Sequence, residues 1–401
     1  MSGPWRRGRH GLLAAGMVWA ATLAVARAAA CPFCGTVGPS LAERRDRADA
    51  VAVGEALGDA GSASGPPMQR FLVRAVLRPG VDGADAAPAV AAGVTVESRI
   101  DARVDARVAG TALLFRTDAA AENAGPRWSA LPADETLLGY VAAAPPVDRP
   151  AAARLRWFAD RLEHPEPAIA ADAFAEFGAA PFAAVVAAAD ALDPARLAAW
   201  VNEPGIDQRR RGFYGLALGI VARDGHDPLV RRECLAALDR AVAAPGGDFR
   251  AGYDGVLAGL LVARGDAGLD VIESRGLLGP RGRPLDQRHL LAALRFAHES
   301  LADTIPPARI AAATAALLAS PAVAADAAID LARYRAWDRV DDVARLWTTL
   351  GGDDPLVRRA VAGYLTACPL PAAKAHLARL DRDDPDRLRA ALEAASFPGG
   401  R

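Results

Sequence analysis

The chain has 401 residues, 52% of them hydrophobic and 24% charged, with a mean hydropathy of +0.10. That composition excludes a disordered chain, and the length predicts two domains or one domain followed by a repeat array. The 47 Lys+Arg nearly cancel the 48 Asp+Glu, and the net charge of −1 argues against a general nucleic-acid binder.

Residues 1–30 read as an export signal. Arg6, Arg7 and Arg9 form a positive n-region, Gly11 to Ala26 is an uncharged apolar run, and Ala28-Ala29-Ala30 supplies small residues for cleavage. The run falls short of the ~20 apolar residues that span a bilayer. Arg6-Arg7 invites a twin-arginine reading, but Arg9 and His10 stand where that signal wants apolar residues. Cleavage after Ala30 makes Cys31 the first mature residue of an exported chain, periplasmic or secreted. The leader holds four arginines and no acid, so its removal takes the net charge to −5. A cysteine after small residues also resembles a bacterial lipobox, which implies acylation of Cys31 and a lipid anchor in the envelope. Here Ala28 stands where that motif favours a larger aliphatic residue. No later segment is long and apolar enough to cross a membrane.

Past Cys31-Pro32-Phe33-Cys34, the run Ser40-Leu41-Ala42-Glu43 fits a capping box and predicts a short helix over roughly 41–48. The pattern then turns to period two. Val51 and Val53, Phe71 through Leu77, Val94 and Val96, and Leu113 and Phe115 predict short half-buried strands. Turn-rich stretches from Gly58 to Pro67 and from Arg78 to Pro88 separate them. Residues 31–145 are therefore expected to form a small β-rich domain, a five-strand barrel or sandwich. Pro145 through Pro150 predicts a stiff, extended linker over 146–150.

Beyond 150 the strand signal stops and helix starts recur, each an acidic or hydroxyl residue followed by proline. They stand at Glu166-Pro167, Asp193-Pro194, Glu203-Pro204, Asp227-Pro228, Ser320-Pro321, Asp354-Pro355 and Asp384-Pro385. An N-cap oxygen accepts from a free helix N–H, and Pro at N1 lacks the donor that has no partner there. The hexapeptide Asp227-Pro228-Leu229-Val230-Arg231-Arg232 returns as Asp354-Pro355-Leu356-Val357-Arg358-Arg359, an offset of 127 residues. Three repeats of about 42 would fill that offset, within the ~40–47 period of helical arrays. Residues 151–401 are accordingly expected to form an α-helical repeat domain of about five or six helix pairs. The whole is an α+β multidomain layout.

The paired Asp-Pro-Leu-Val-Arg-Arg segments resemble HEAT-type repeats, which implies a curved surface that binds or scaffolds. The front domain is loosely similar to netrin-like, OB-type modules, with cysteines after the leader, a short helix, then Ala50 to Leu57 as a first strand. It departs from them in having no cysteine between Cys34 and Cys234, and Cys-x-x-Cys where their inhibitor members carry Cys-x-Cys. The whole layout resembles uncharacterised exported bacterial proteins that begin Cys-Pro-Phe-Cys and continue into helical repeats.

The chemistry candidates are few. Cys31 and Cys34 suit a structural disulfide in an oxidising compartment or lipid attachment at Cys31. A thiol–disulfide centre would want a helix starting at the first cysteine, whereas the helix signal begins near Ser40. Gly35 excludes covalent haem attachment. Cys234 and Cys368 fall in apolar stripes and read as core residues. His289 and His298 lack the i, i+4 spacing of a helical metal site, and Asp381, Asp383, Asp384 and Asp386 lack the glycine and closing glutamate of a calcium loop. No cofactor or metal is expected. Arg209, Arg210, Arg211, Arg231, Arg232, Arg358 and Arg359 make a candidate binding surface, with solvated helix face as the plainer reading. The expectation is a non-enzymatic exported protein that engages a protein or envelope component. The alternatives are a thiol–disulfide protein acting through Cys31 and Cys34, or a hydrolase whose residues converge only in three dimensions.

Overall fold

The computed structural model describes residues 38–60, 68–78, 89–99, 108–117, 127–225, 227–244 and 250–396. Residues 1–30, read above as an export signal, and Cys31 and Cys34 lie outside the described residues. Among those described, no helix is long and apolar enough to cross a membrane.

A short helix, α1 (Leu41–Arg47), is the first described element and carries the expected capping box. Ser40 Oγ accepts from the Glu43 N–H at 3.1 Å, and Glu43 Oε2 accepts from the Ser40 N–H at 3.3 Å. Five strands follow: β1 (Ala50–Ala60), β2 (Met68–Arg78), β3 (Thr95–Arg99), β4 (Thr111–Thr117) and β5 (Arg127–Pro132). They close into a barrel in the order β1-β2-β3-β5-β4, so of the two expected forms the chain takes the barrel. Closure rests on the parallel contact of β3 with β5, where Ser98 pairs with Trp128 and its hydroxyl donates to the Trp128 carbonyl at 3.1 Å.

A five-strand barrel is narrow, and small residues fill much of it. Ala50, Ala52 and Ala112 pack inside with Phe71, Val73, Leu114 and Trp128. Gly54 is required there, because a Cβ would stand 2.5 Å from Leu114 Cδ1. Of the other residues picked out by alternation, Val51, Leu113 and Phe115 take the outer face. Val51 pairs with Phe115 and Val53 with Leu113, and Val51, Leu113 and Phe115 are buried outside the barrel with Leu41, Leu137 and Val141. Both faces of β4 are therefore covered.

The helix α2 (Glu135–Ala143) follows, capped by Asp134. The proline-rich segment after it is not the stiff extended linker expected. It turns, with the Arg149 N–H donating to the Pro146 carbonyl at 3.2 Å. It is also docked on α1. Asp46 Oδ2 accepts from the Val147 N–H at 2.8 Å, while Arg45 donates to the carbonyls of Val141 at 2.6 Å and Ala144 at 2.8 Å. Backbone groups held this way remove the freedom a linker needs.

Helices then run to the end of the described chain: α3 (Ala151–Ala159), α4 (Pro167–Ala179), α5 (Phe182–Ala187), α6 (Pro194–Asn202), α7 (Gln208–Asp224) and α8 (Pro228–Ala243). After them come α9 (Tyr253–Arg264), α10 (Asp266–Ser274), α11 (Pro284–Ser300), α12 (Pro307–Ala316) and α13 (Ala324–Arg333). The last four are α14 (Val340–Thr349), α15 (Pro355–Ala367), α16 (Pro371–Asp383) and α17 (Pro385–Ser396). Helices two apart lie side by side: α7 with α9, α9 with α11, α13 with α15, α15 with α17, and in a second row α6 with α8 and α14 with α16.

The helix-start signals hold at Pro167, Pro194, Pro228, Pro355 and Pro385 and fail at two sites. Glu203 is the C-cap of α6, and Ser320 precedes a turn, with α13 starting only at Ala324. Among the described residues fifteen helices lie beyond 150, more than five or six pairs supply. The repeated hexapeptide opens α8 and α15, seven helices apart, so it marks a way of starting a helix and not three whole helix pairs. In both copies the Asp carboxylate accepts the N–H two residues on at 2.8 Å, and the leucine there, Leu229 or Leu356, stays 63% or 62% exposed.

The closest packing in the helical region is between α7 and α9. Gly212, Gly215 and Gly219 of α7 face Gly255 and Gly259 of α9 so tightly that a Cβ on Gly255 would lie 2.0 Å from the Gly212 carbonyl oxygen and one on Gly259 2.0 Å from that of Gly215. One on Gly219 would lie 2.1 Å from that of Gly259. Glycine normally weakens a helix interior by about 1 kcal/mol; here it permits backbone contact that brings both apolar helices into one core.

The barrel side and the helical side share that core and a buried polar network. Asp172 and Glu176, one turn apart on α4, each keep 6% of their surface exposed. Asp172 accepts from the Leu41 N–H at 2.5 Å and the Tyr140 hydroxyl at 2.7 Å. Glu176 accepts from Ser40 Oγ and from the Arg154 guanidinium on α3. Burial pushes both carboxyls above the usual carboxylate range, against the pull of these donors and of Arg44 and Arg154. The Tyr140 phenol is pushed up as well, first by burial and then by Asp172.

Candidate functional site

An open cleft of about 730 Å³ lies between α14, α16 and the first turn of α17. Asp341, Arg345, Trp347 and Thr348 of α14 form one wall, His376, Arg379 and Asp383 of α16 the other, and Gly351-Gly352 and Arg387 lie along the remaining boundary. Residues i and i+4 of α14 (Asp341, Arg345) and i and i+3 of α16 (His376, Arg379) meet because each pair sits on one helix face.

The hydrogen bonds define the histidine. His376 Nε2 stands 2.7 Å from Asp341 Oδ1, and Arg379 Nη2 stands 3.3 Å from His376 Nδ1. The ring therefore lies between opposite charges, with Nε2 facing the Asp341 carboxylate and Nδ1 facing the Arg379 guanidinium. Both ring nitrogens are thereby engaged. The Thr348 hydroxyl, the alcohol in the cleft wall, donates to the Arg345 carbonyl at 3.0 Å. Arg345 pairs with Asp342 at 3.1 Å and Arg387 with Asp384 at 3.3 Å, whereas Arg379 has no acid partner among the described residues. The arrangement positions donors around a space. The Thr348 hydroxyl is bonded to the helix backbone and not to His376.

The arginines expected to form a binding surface divide by role. Arg210 pairs with Glu163 at 3.1 Å, and Arg211 donates to the Glu203 carbonyl at 2.8 Å, so both brace the start of α7. Arg209, Arg231 and Arg232 are exposed. The two groups stand at opposite ends of α7, about 25 Å long, because a short connection joins its C-terminus to α8. Arg358 donates to the carbonyls of Gly351 and Gly352, at 3.1 Å for the latter, and so holds the turn that bounds the cleft. Arg359 lines a separate groove with Arg333. The seven arginines thus form no single patch.

Cys234 and Cys368 are buried as expected, and burial pushes the Cys234 thiol up to about 11. His289 lies 3.7 Å from Asp254 and His298 stacks on Tyr334, so each histidine is engaged on a different pair of helices. Among the described residues no group of three or more His, Cys, Asp or Glu is placed to hold a metal. Sequence reasoning passed over His376, Asp341 and Arg379. The only signal was polar spacing on two helix faces, with 35 residues between histidine and aspartate. No family model matches the chain, and neither a curated protein nor a solved structure is significantly similar to it.

Proposed function

We propose that the chain is an exported, non-enzymatic binding or scaffold protein, periplasmic or secreted, and envelope-anchored where Cys31 is acylated. In this reading an OB-type, netrin-like barrel leads a HEAT-like α-solenoid whose surface engages a protein or envelope component. A five-strand barrel suits an OB-type module, and the side-by-side packing of alternate helices suits a solenoid.

The observation that carries the reading is the cleft. It is open to solvent, its walls come from three helices, and its histidine and threonine are already committed to neighbours. Such a site holds a ligand by fixed donors more readily than it turns one over. A photocrosslinking side chain at Gly352, where a Cβ meets nothing within 4 Å, should capture one discrete partner from the intact envelope. Arg379→Ala should reduce that capture. Turnover of a small substrate that depends on His376 or Asp341 would overturn the reading in favour of a hydrolase. A change in thiol oxidase or reductase activity in a Cys31→Ser/Cys34→Ser variant would favour the thiol–disulfide alternative.

A further inference from the structure

We infer that the groove between α13, α15 and α17 is a docking site for a partner's peptide segment that alternates apolar and acidic side chains. The inference rests on the binding-protein reading and adds a second contact, on helices of the other row from α14 and α16.

The groove, about 490 Å³, is lined by Ile329, Ala332 and Arg333 of α13, by Arg359, Ala360, Gly363 and Tyr364 of α15, and by Ala395 of α17. Its width comes from what is missing at Gly363. A Cβ there would meet nothing nearer than Ala395 Cβ, at 3.8 Å. That glycine is therefore not demanded by backbone contact, unlike Gly215 or Gly259. Ile329 is 39% exposed, a large apolar surface left facing water beside the groove. Walls of this kind suit aliphatic side chains and give a sugar little to hold.

The charge is one-sided. Asp330, fully buried, accepts from Arg295 Nε on both oxygens at 2.7 Å and from Arg333 at 3.2 Å. One carboxylate is thus shared by two guanidinium groups. Arg359 has no acid partner among the described residues. The groove is thus lined by two arginines, Arg333, which shares its buried acid with Arg295, and Arg359, and by no acid. The exposed Asp326, one turn before Asp330, is outside its lining. Carboxylates spaced between apolar side chains would meet Arg333 and Arg359 while the apolar side chains covered Ile329 and the alanines.

The test uses the full-length exported protein and a fluorescein-labelled peptide alternating leucine and glutamate, read by anisotropy at about 0.15 M ionic strength. Its glutamine counterpart and a glutamate-only peptide serve as controls. The leucine–glutamate peptide should bind, with both controls weaker. Arg359→Gln should weaken binding by about two- to fivefold, and Gly363→Leu, which fills the groove, should abolish it. Absence of binding by the native protein, unchanged affinity in Arg359→Gln, or equal binding of the glutamate-only peptide would each overturn the inference. Should Gly363→Leu fail to fold, Arg359→Gln and the peptide controls decide the matter. Crosslinking from Gly352 tests the binding reading at a different place, so either can fail alone.

Discussion

The Tyr140 hydroxyl donates to Asp172 Oδ2 at 2.7 Å, joining the helix that follows the barrel to the second helix of the array across 32 residues. The same carboxylate takes the Leu41 N–H on its other oxygen, so one buried side chain orients α1, α2 and α4 together. The barrel and the first helices of the array share one core because of such contacts.

The pH dependence of that junction follows from burial. Asp172 and Glu176 hold their protons more tightly when folded than when unfolded, so their contribution is fully present at acid pH. It is lost as pH rises above the ordinary carboxylate range and through the raised folded values. Asp172→Asn removes one of the two titrations and leaves an amide able to bond both neighbours. In urea unfolding between about pH 4 and pH 7, this variant should gain on the native protein as pH rises. A gap independent of pH would show that the Asp172 carboxyl is not raised.

Glycine substitutions should have opposite signs at two places in one helical array. Gly259→Ala forces a methyl into the α7 backbone and should cost about 3 kcal/mol, overriding the better helix propensity of alanine. Gly363→Ala meets no close atom and should stabilise by up to about 1 kcal/mol. Thermal unfolding of the two variants beside the native protein measures both. Stabilisation by Gly259→Ala would mean that α7 and α9 do not touch backbone to backbone.

The aspartate–proline starts are functional caps. Asp193→Ala, Asp227→Ala and Asp354→Ala should each cost about 1 kcal/mol, since each removes the acceptor of free helix N–H groups. Glu203→Ala should cost less, because Glu203 ends a helix and its carboxylate reaches only the Gly205 N–H at 3.3 Å. Denaturant midpoints across the four variants compare them directly. Equal losses at Glu203 and Asp193 would contradict this division.

Export is tested by the intact mass of the native protein before and after reduction and alkylation. A chain starting at Cys31 is expected. Added acyl mass would identify a tethered envelope protein, and labelling of Cys31 and Cys34 only after reduction would identify a disulfide. Retention of residues 1–30 would refute the leader assignment.

Much of the local structure was legible along the chain. Ser40 and Glu43 predicted α1, the alternating residues located four strands, and five aspartate- or glutamate-proline pairs began helices, because caps, prolines and periodicity act within a few residues. The starts at Pro284, Pro307 and Pro371 were missed because no acidic or hydroxyl cap precedes them.

Decisions between distant segments belonged to the tertiary structure. Whether Val51 and Phe115 point into the barrel or out of it depends on the helices that cover the outer face, and alternation cannot tell two buried faces apart. The glycines at 215 and 259 have meaning only when two helices meet, since alone each merely weakens its own. His376 and Asp341 come together because α14 and α16 pack side by side. The sequence by itself determined where elements begin and which residues want burial, through short-range hydrogen bonding and solvation. Which faces met, and so where a cleft or groove opened, was decided by packing across tens of residues.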